Sequence, residues 1–172
     1  MKLQYILLFL LLTKSTLFFS QNTFDLAVHH DTKFFFTGDE RGNHAGTLDL
    51  LIKVEIPIVK FIKSYIVVYP LLEHVNLHTG SLKRYALGFG YIRENLFLKK
   101  LNIGVFPNFG TIRRFDNTTT SFGFDFEISY QLFKRLSISY IHQIVERTDL
   151  KFKYNESSYI RPSSFIGFKV HF

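Results

Sequence analysis

The chain has 172 residues, of which 47% are hydrophobic and 17% aromatic, with 21 Phe, 9 Tyr, no Trp, no Cys and a formal charge of +7. The lack of cysteine excludes a disulfide framework, a thiolate metal site and a lipoprotein anchored through an N-terminal Cys. So many aromatics are heavy for a small soluble domain, yet beyond the N-terminus there is no run of about eighteen apolar residues to make a membrane helix.

Lys2, the apolar run Ile6 to Leu12, and Ser15, Thr16 and Ser20 read as an export signal over residues 1–20. The cut is expected after Ser20, although Phe18 stands where a small residue is usual. Residues 21–172 then form a single domain, with 19 basic and 14 acidic residues once Lys2 and Lys14 are removed. An exported chain meets no nucleic acid, so the basic excess is expected to face other anions.

Phe24 to Phe36 is the first predicted strand, followed by a Gly-rich polar loop from Thr37 to Asn43. The second, Thr47 to Ile56, alternates: Leu48, Leu50, Ile52, Val54 and Ile56 share one face, and Asp49, Leu51, Lys53 and Glu55 the other. Pro57 to Lys63 reads as a turn and Tyr65 to Leu72 as the third strand. Ile66-Val67-Val68-Tyr69-Pro70 parallels Ile103-Gly104-Val105-Phe106-Pro107 further on. The match sets Ile66, Val68, Ile103 and Val105 on the apolar face and points Tyr69 and Phe106 inward. It also predicts a bulge at each proline, because proline cannot donate to a ladder.

A loop from His74 to Lys83 leads to the strand Arg84 to Ile92, with Tyr85, Leu87, Phe89 and Tyr91 outward and Ala86, Gly88 and Gly90 inward. Arg93 to Lys100 turns the chain, Leu101 to Phe109 is the fifth strand, and Thr111 to Thr120 is a polar loop. The sixth strand alternates most cleanly, with Phe122, Phe124, Phe126, Ile128, Tyr130 and Leu132 against Gly123, Asp125, Glu127, Ser129 and Gln131. A short turn at Phe133 to Arg135 leads to a seventh strand with Leu136, Ile138, Tyr140, His142 and Ile144 outward, and a charged loop spans Glu146 to Pro162. The last stretch, Phe165 to Phe172, alternates up to a terminal aromatic. An apolar strand of this kind needs a partner on both sides, which closure of the sheet supplies.

A closing strand that ends in Phe behind an export signal, in a chain of about eight strands joined by alternating short turns and longer polar loops, resembles the small outer-membrane β-barrels of Gram-negative bacteria, the OmpA/OmpX type. That resemblance implies an all-β fold: a closed antiparallel up-and-down transmembrane β-barrel of about eight strands, in the outer membrane, with both termini in the periplasm. It also implies contact with outer-membrane lipid and lipopolysaccharide, and recognition by the barrel-assembly machinery through the C-terminal strand. It implies neither a catalytic residue nor a cofactor, and we expect a monomer. Tyr65, Tyr91, Phe109, Tyr130 and Phe172 are expected in the interfacial girdles.

The inward charges Lys53, Glu55, Asp125, Glu127, Lys169 and His171 are expected to pair across the lumen, since an eight-stranded barrel is only wide enough for side chains to fill it. Among basic residues at the loop end, Arg113, Arg114, Lys151 and Lys153 are candidates for lipopolysaccharide phosphates, together with Lys83, Arg84 and Arg161. The expected role is non-enzymatic, structural or surface-interacting. The alternatives are a narrow pore or a lipid A-modifying acyl hydrolase, for which outward His142 with Glu146 is the nearest approach to a base and its orienting acid. His44, His74 and His78, near His29 and His30, are of metal-ligating type, but no metal is assigned to them. A soluble lipocalin-like barrel would carry the same alternation inverted.

Overall fold

The computed structural model describes residues 24–40, 42–150 and 160–172. The proposed signal segment and both Lys151 and Lys153 lie outside them. Eight strands follow in order: β1 Asp25–Asp31, β2 Asp49–Lys60, β3 Ser64–Val75, β4 Leu82–Arg93, β5 Leu101–Arg114, β6 Asn117–Phe133, β7 Leu136–Glu146 and β8 Ile160–His171. A short helix, α1 Thr32–Phe36, follows β1. Each strand pairs antiparallel with its neighbour in sequence and β8 returns to β1, so the barrel is closed. Tracing the register from Thr111 of β5 through Tyr85, Leu72, Ile52, Val28, Phe168, Ile138 and Tyr130 returns to β5 at Leu101, ten residues away. That stagger tilts the strands and sets the width of the lumen.

Every strand carries one buried and one exposed set of side chains, and the polarity is inverted relative to a water-soluble barrel. Lys53, Glu55, Arg84 and Asp125 are fully buried inside, while Leu87, Phe89 and Phe109 on the outer wall are 58%, 60% and 61% exposed. Water would penalise such a wall, and hydrocarbon accepts it. The fold is therefore a closed eight-stranded up-and-down transmembrane barrel, which rules out the lipocalin-like alternative.

Four local expectations need correction. The first strand stops at Asp31, not Phe36, because the Asp31 carboxylate accepts the Phe34 backbone N–H at 2.9 Å and caps α1. Three consecutive Phe residues could not in any case alternate between wet and apolar faces. The turn predicted from Pro57 is instead a continuation of β2 to Lys60, with a register shift between Pro57 and Val59. The polar loop predicted at Thr111 to Thr120 is paired strand, and β5 and β6 meet at a tight turn over Phe115 and Asp116. Pro70 and Pro107 carry no bulge, since the β3–β4 register runs unbroken through Pro70 and the β5–β6 register through Pro107. The β4–β5 pairing lapses instead beside Phe106 and Pro107, where the Tyr69 hydroxyl donates to their carbonyls at 2.9 and 3.2 Å.

Tyr69 and Phe106 point inward and meet edge to face, with ring centroids 5.4 Å apart. They have room because Gly88 and Gly90 sit beneath them. A Cβ on Gly88 would clash with the Tyr69 ring and the Pro107 carbonyl, and one on Gly90 with the Phe106 ring. Tyr65, expected in a girdle, turns inward and packs on this cluster. Tyr91, Phe109, Tyr130 and Phe172 are exposed on the outside.

The inverted polarity gives a direct prediction. Leu87→Arg, near the middle of the exposed face of β4, should destabilise the barrel in a phospholipid bilayer by about 2–4 kcal/mol, read as a lower urea midpoint in vesicles. An unchanged midpoint would contradict a hydrocarbon environment for this wall.

Candidate functional site

The lumen is filled in layers. At its centre Lys53 of β2 lies between Glu55, at 2.8 Å, and Glu127 of β6, while Lys169 of β8 bonds Glu55 at 2.9 Å and also meets Glu127. The four make a closed ring of alternating charge in which none is more than 3% exposed. Period-two alternation turns these side chains inward on strands that are distant in sequence, and curvature of the sheet brings them together. The Lys53 ammonium also sits 3.6 Å from the centre of the Phe106 ring. Asp125 does not join the ring; Asn108 Nδ2 donates to it at 3.3 Å. His171 lies at the termini end, half-buried, bonded to Asp25 and Ser137 at 2.8 Å each.

Towards the loops, Arg84 is fully buried and donates to Asn108 Oδ1, to Ser121 Oγ at 3.2 Å and to Glu73 at 3.5 Å. Arg84 was expected among the surface basic residues, yet it shares the inward parity of Ala86, Gly88 and Gly90. The alternation of β4 carries the signal that turns it inward, and the alternation of β3 and β5 does the same for Glu73 and Asn108. Arg114, a candidate for lipopolysaccharide, is likewise corrected. It turns into the mouth, where it donates to Thr79 Oγ1 at 2.8 Å and pairs with Asp149 at 3.5 Å. Arg147 clasps Asp149 with two further bonds of 2.8 and 2.9 Å. Burial pushes the Asp149 carboxyl up, but the Arg147 bonds and the charges of Arg147 and Arg114 outweigh it and hold the group below its ordinary value.

Between these layers and the loops lies a mouth cavity of about 560 Å³, lined by acidic Asp31, Asp49 and Glu73 and by Arg114, Arg147 and Arg161. Apolar Val75, Leu82, Ile112 and Val145, with Phe34 and Leu77 against them, form an apolar plug at this end of the barrel, and Val75, Phe34 and Leu77 line the cavity themselves. Ionic ring, Arg84 layer and apolar plug together leave the lumen packed.

Outside the mouth, Lys83 of β4 and Arg113 of β5 stand directly opposite each other, both outward. With Ser81, Tyr85 and Phe115 they line a shallow recess of about 390 Å³. Like charges directly opposed on one face repel, and no carboxylate pairs with either among the described residues.

His142 faces outward on β7, and its cross-strand neighbour is Ser164 of β8. Its Nδ1 lies 3.2 Å from Ser164 Oγ, which also meets the Tyr140 hydroxyl at 2.9 Å. Alternation along β7 alone does not reveal this serine, because register decides which positions of two strands meet. Glu146, four residues along β7, is about 13 Å away at ~3.3 Å per residue, too far to orient the imidazole. The histidines do not converge. His29 is buried against Ser139 Oγ at 2.6 Å, His30 contacts the Phe35 ring, His74 faces outward on β3, and His44 and His78 lie in separate loops. Among the described residues no group of three His, Asp or Glu side chains is placed to hold a metal.

A closed barrel, inverted in polarity and plugged by paired charges, defines the class: a small transmembrane β-barrel. No protein family matches the chain, and no curated protein is detectably similar to it in sequence. Among solved structures it is similar to Neisserial surface protein A (NspA), at 10% identity and a TM-score of 0.49 over 88% of this chain and 96% of that one. It is also similar to Ail, the attachment invasion locus protein of Yersinia pestis, at 7% identity and a TM-score of 0.47 over 88% of this chain and 97% of Ail. The architecture itself rests on the strand pairing of this chain.

Two predictions follow from the buried charges. Glu127→Leu leaves two buried lysines facing one carboxylate and should cost about 3–5 kcal/mol, seen as a fall in the unfolding midpoint; no change would contradict the ring. The Asp149 clasp stabilises the loop end above the ordinary carboxylate value of about 4, and its contribution is lost as pH falls through the depressed value. In micelles the shifted Arg147 Nε–H resonance should persist at neutral pH, collapse on acidification, and be absent at every pH in Asp149→Asn. A resonance indifferent to both would contradict the clasp.

Proposed function

We propose that the protein is an exported outer-membrane surface protein, non-enzymatic, whose loop end contacts lipopolysaccharide phosphates. The observation that carries this reading is the outward Lys83–Arg113 pair. Two cations held opposite each other on adjacent strands, in a recess that Tyr85 and Phe115 also line, create a demand for an anion. A phosphate meets that demand, since Arg binds it bidentately and Lys adds a point charge. The rings add apolar surface beside the cations, so the recess offers both chemistries that a phosphorylated lipid presents. Arg114 takes no part, being committed to Asp149 and Thr79. Lys151 and Lys153 belong to the same reading as further contacts of the fourth loop. In this account residues 1–20 direct export, the terminal strand is read by the barrel-assembly machinery, and the barrel works as a monomer without a cofactor.

A second reading, acyl hydrolysis of lipid A, is favoured by one contact, that between Ser164 and His142 on the lipid-facing wall. Against it, among the described residues, no acid stands against the imidazole, and the wall's backbone N–H groups are used in strand pairing, which leaves no donors there for an oxyanion.

The test is binding of lipopolysaccharide to the folded barrel. Lys83→Ala with Arg113→Ala should weaken it about a hundredfold or more, at about 1.5 kcal/mol or more for each of the two charge-assisted bonds lost, and removal of the lipid phosphates should weaken the wild type alike. Equal binding by the double variant would contradict the proposal. Mass spectra of lipid A separate the readings, since a change of mass that depends on His142 and Ser164 would favour the enzyme.

A further inference from the structure

At the opposite end of the barrel, where β1 begins and β8 ends, three turns share one pattern. The first, at the end of β2, reads Lys60-Phe61-Ile62-Lys63, with Phe61 56% and Ile62 97% exposed. The second, between β4 and β5, carries Phe97 and Leu98, 87% and 64% exposed, followed by Lys99 and Lys100. In the third, Phe133, 69% exposed, precedes Lys134 and Arg135. Glu94 is the one acidic residue in these three turns. Apolar tips this exposed are costly in water, and their recurrence beside paired cations calls for a partner that is apolar and anionic at once.

The second turn is built to display its tip. Asn95, Phe97 and Lys100 all have positive φ, with Phe97 at 61°, a conformation that costs a bulky residue free energy and persists only where surroundings enforce it. Here Asn95 Oδ1 accepts the Lys100 N–H at 2.7 Å, Asn102 Oδ1 accepts the Asn95 N–H at 3.1 Å, and Leu96 N–H bonds the Leu101 carbonyl at 2.9 Å. These bonds hold the Phe97 and Leu98 side chains away from the barrel, where the fold itself gains nothing from them.

We propose that the three turns form a docking surface for anionic phospholipid, with Ile62, Phe97 and Phe133 entering the acyl boundary and the flanking Lys and Arg residues reaching headgroup phosphates. Two observations select lipid over a soluble partner. The tips continue the apolar outer wall, through Ile58 and Val59 at the end of β2 and Leu132 near the end of β6, all exposed. The charge pattern is that of snorkelling residues, whose stems lie along apolar surface while their heads meet phosphate. The proposal rests on the outer-membrane reading with termini in the periplasm, where the leaflet at this end is phospholipid. It adds a second, chemically different grip on the membrane at the face away from the lipopolysaccharide recess.

The chain has no cysteine, so single cysteines report cleanly. An environment-sensitive fluorophore is placed on Leu98→Cys, on Phe133→Cys, and, for reference, on Thr118→Cys in the β5–β6 hairpin at the loop end. Each barrel is folded into vesicles of bromine-labelled phosphatidylcholine with or without phosphatidylglycerol, and its folding is checked by gel mobility before and after boiling. The expected result is blue-shifted, bromine-quenched emission at Leu98 and Phe133 but not at Thr118. Both effects should be stronger with phosphatidylglycerol and should diminish when Lys99 and Lys100 are replaced by Gln. A folded barrel whose Leu98 and Phe133 labels stay unquenched, like that at Thr118, would overturn the proposal and assign the tips to water or to a soluble partner. Quenching indifferent to phosphatidylglycerol would overturn the phosphate contact. Failure of all three barrels to show a mobility shift would overturn the membrane reading itself, and this proposal with it.

Discussion

The structure depends on the seam where β8 returns to β1. Asp25 through Asp31 pair with His171 through Phe165 without a break. Phe24 and Phe172 stack across the seam at 4.6 Å, and the Phe172 N–H bonds the Phe24 carbonyl at 3.1 Å. Hydrocarbon offers no hydrogen bonds, so an open sheet would leave a row of backbone groups unpaired at several kcal/mol apiece. Closure removes both edges at once. It also encloses a lumen that eight strands leave only wide enough for side chains, so whatever points inward must fit and must neutralise its own charge.

That second demand explains the interior. Two lysines and two glutamates from β2, β6 and β8 form a ring without net charge, and small residues on β4 leave space for Tyr69 and Phe106. A buried ring of this kind is weak evidence for stability in itself, since well-packed apolar residues could match it. Its effect is specificity. Only one stagger of the strands brings Lys53 and Lys169 to the same pair of carboxylates, so the ring and the ten-residue offset select each other.

Much of this was legible in the chain because facing is a local property. Alternation along β2, β4, β6 and β7 assigns inward and outward residues without reference to any other strand, and the ring residues all follow it. The same rule, carried to the strand ends, would have turned Arg84 and Arg114 inward, but polar ends read as loops and the strands continue past the apolar band as the β5–β6 hairpin. What alternation cannot express is which residues meet across strands. Ser164 opposite His142 and the Tyr69 hydroxyl beside Pro107 depend on register summed around the barrel. The end of β1 was obscured for another reason: a capping carboxylate at Asp31 outweighs the apolar pattern that follows it. The two ends of the barrel differ in kind. At the loop end the outward cations oppose each other beside aromatic rings, whereas at the termini end they flank apolar tips.

The central claim is that lipid, and not water, is the solvent of the outer wall. The most direct measurement is refolding of residues 21–172 from urea into phospholipid vesicles and, in parallel, into buffer alone, followed by gel mobility without boiling and by protease digestion. The account predicts a compact, boiling-sensitive band with protected strands in vesicles, and aggregation in buffer. A soluble, protease-resistant chain of the same mobility in buffer without lipid would contradict it.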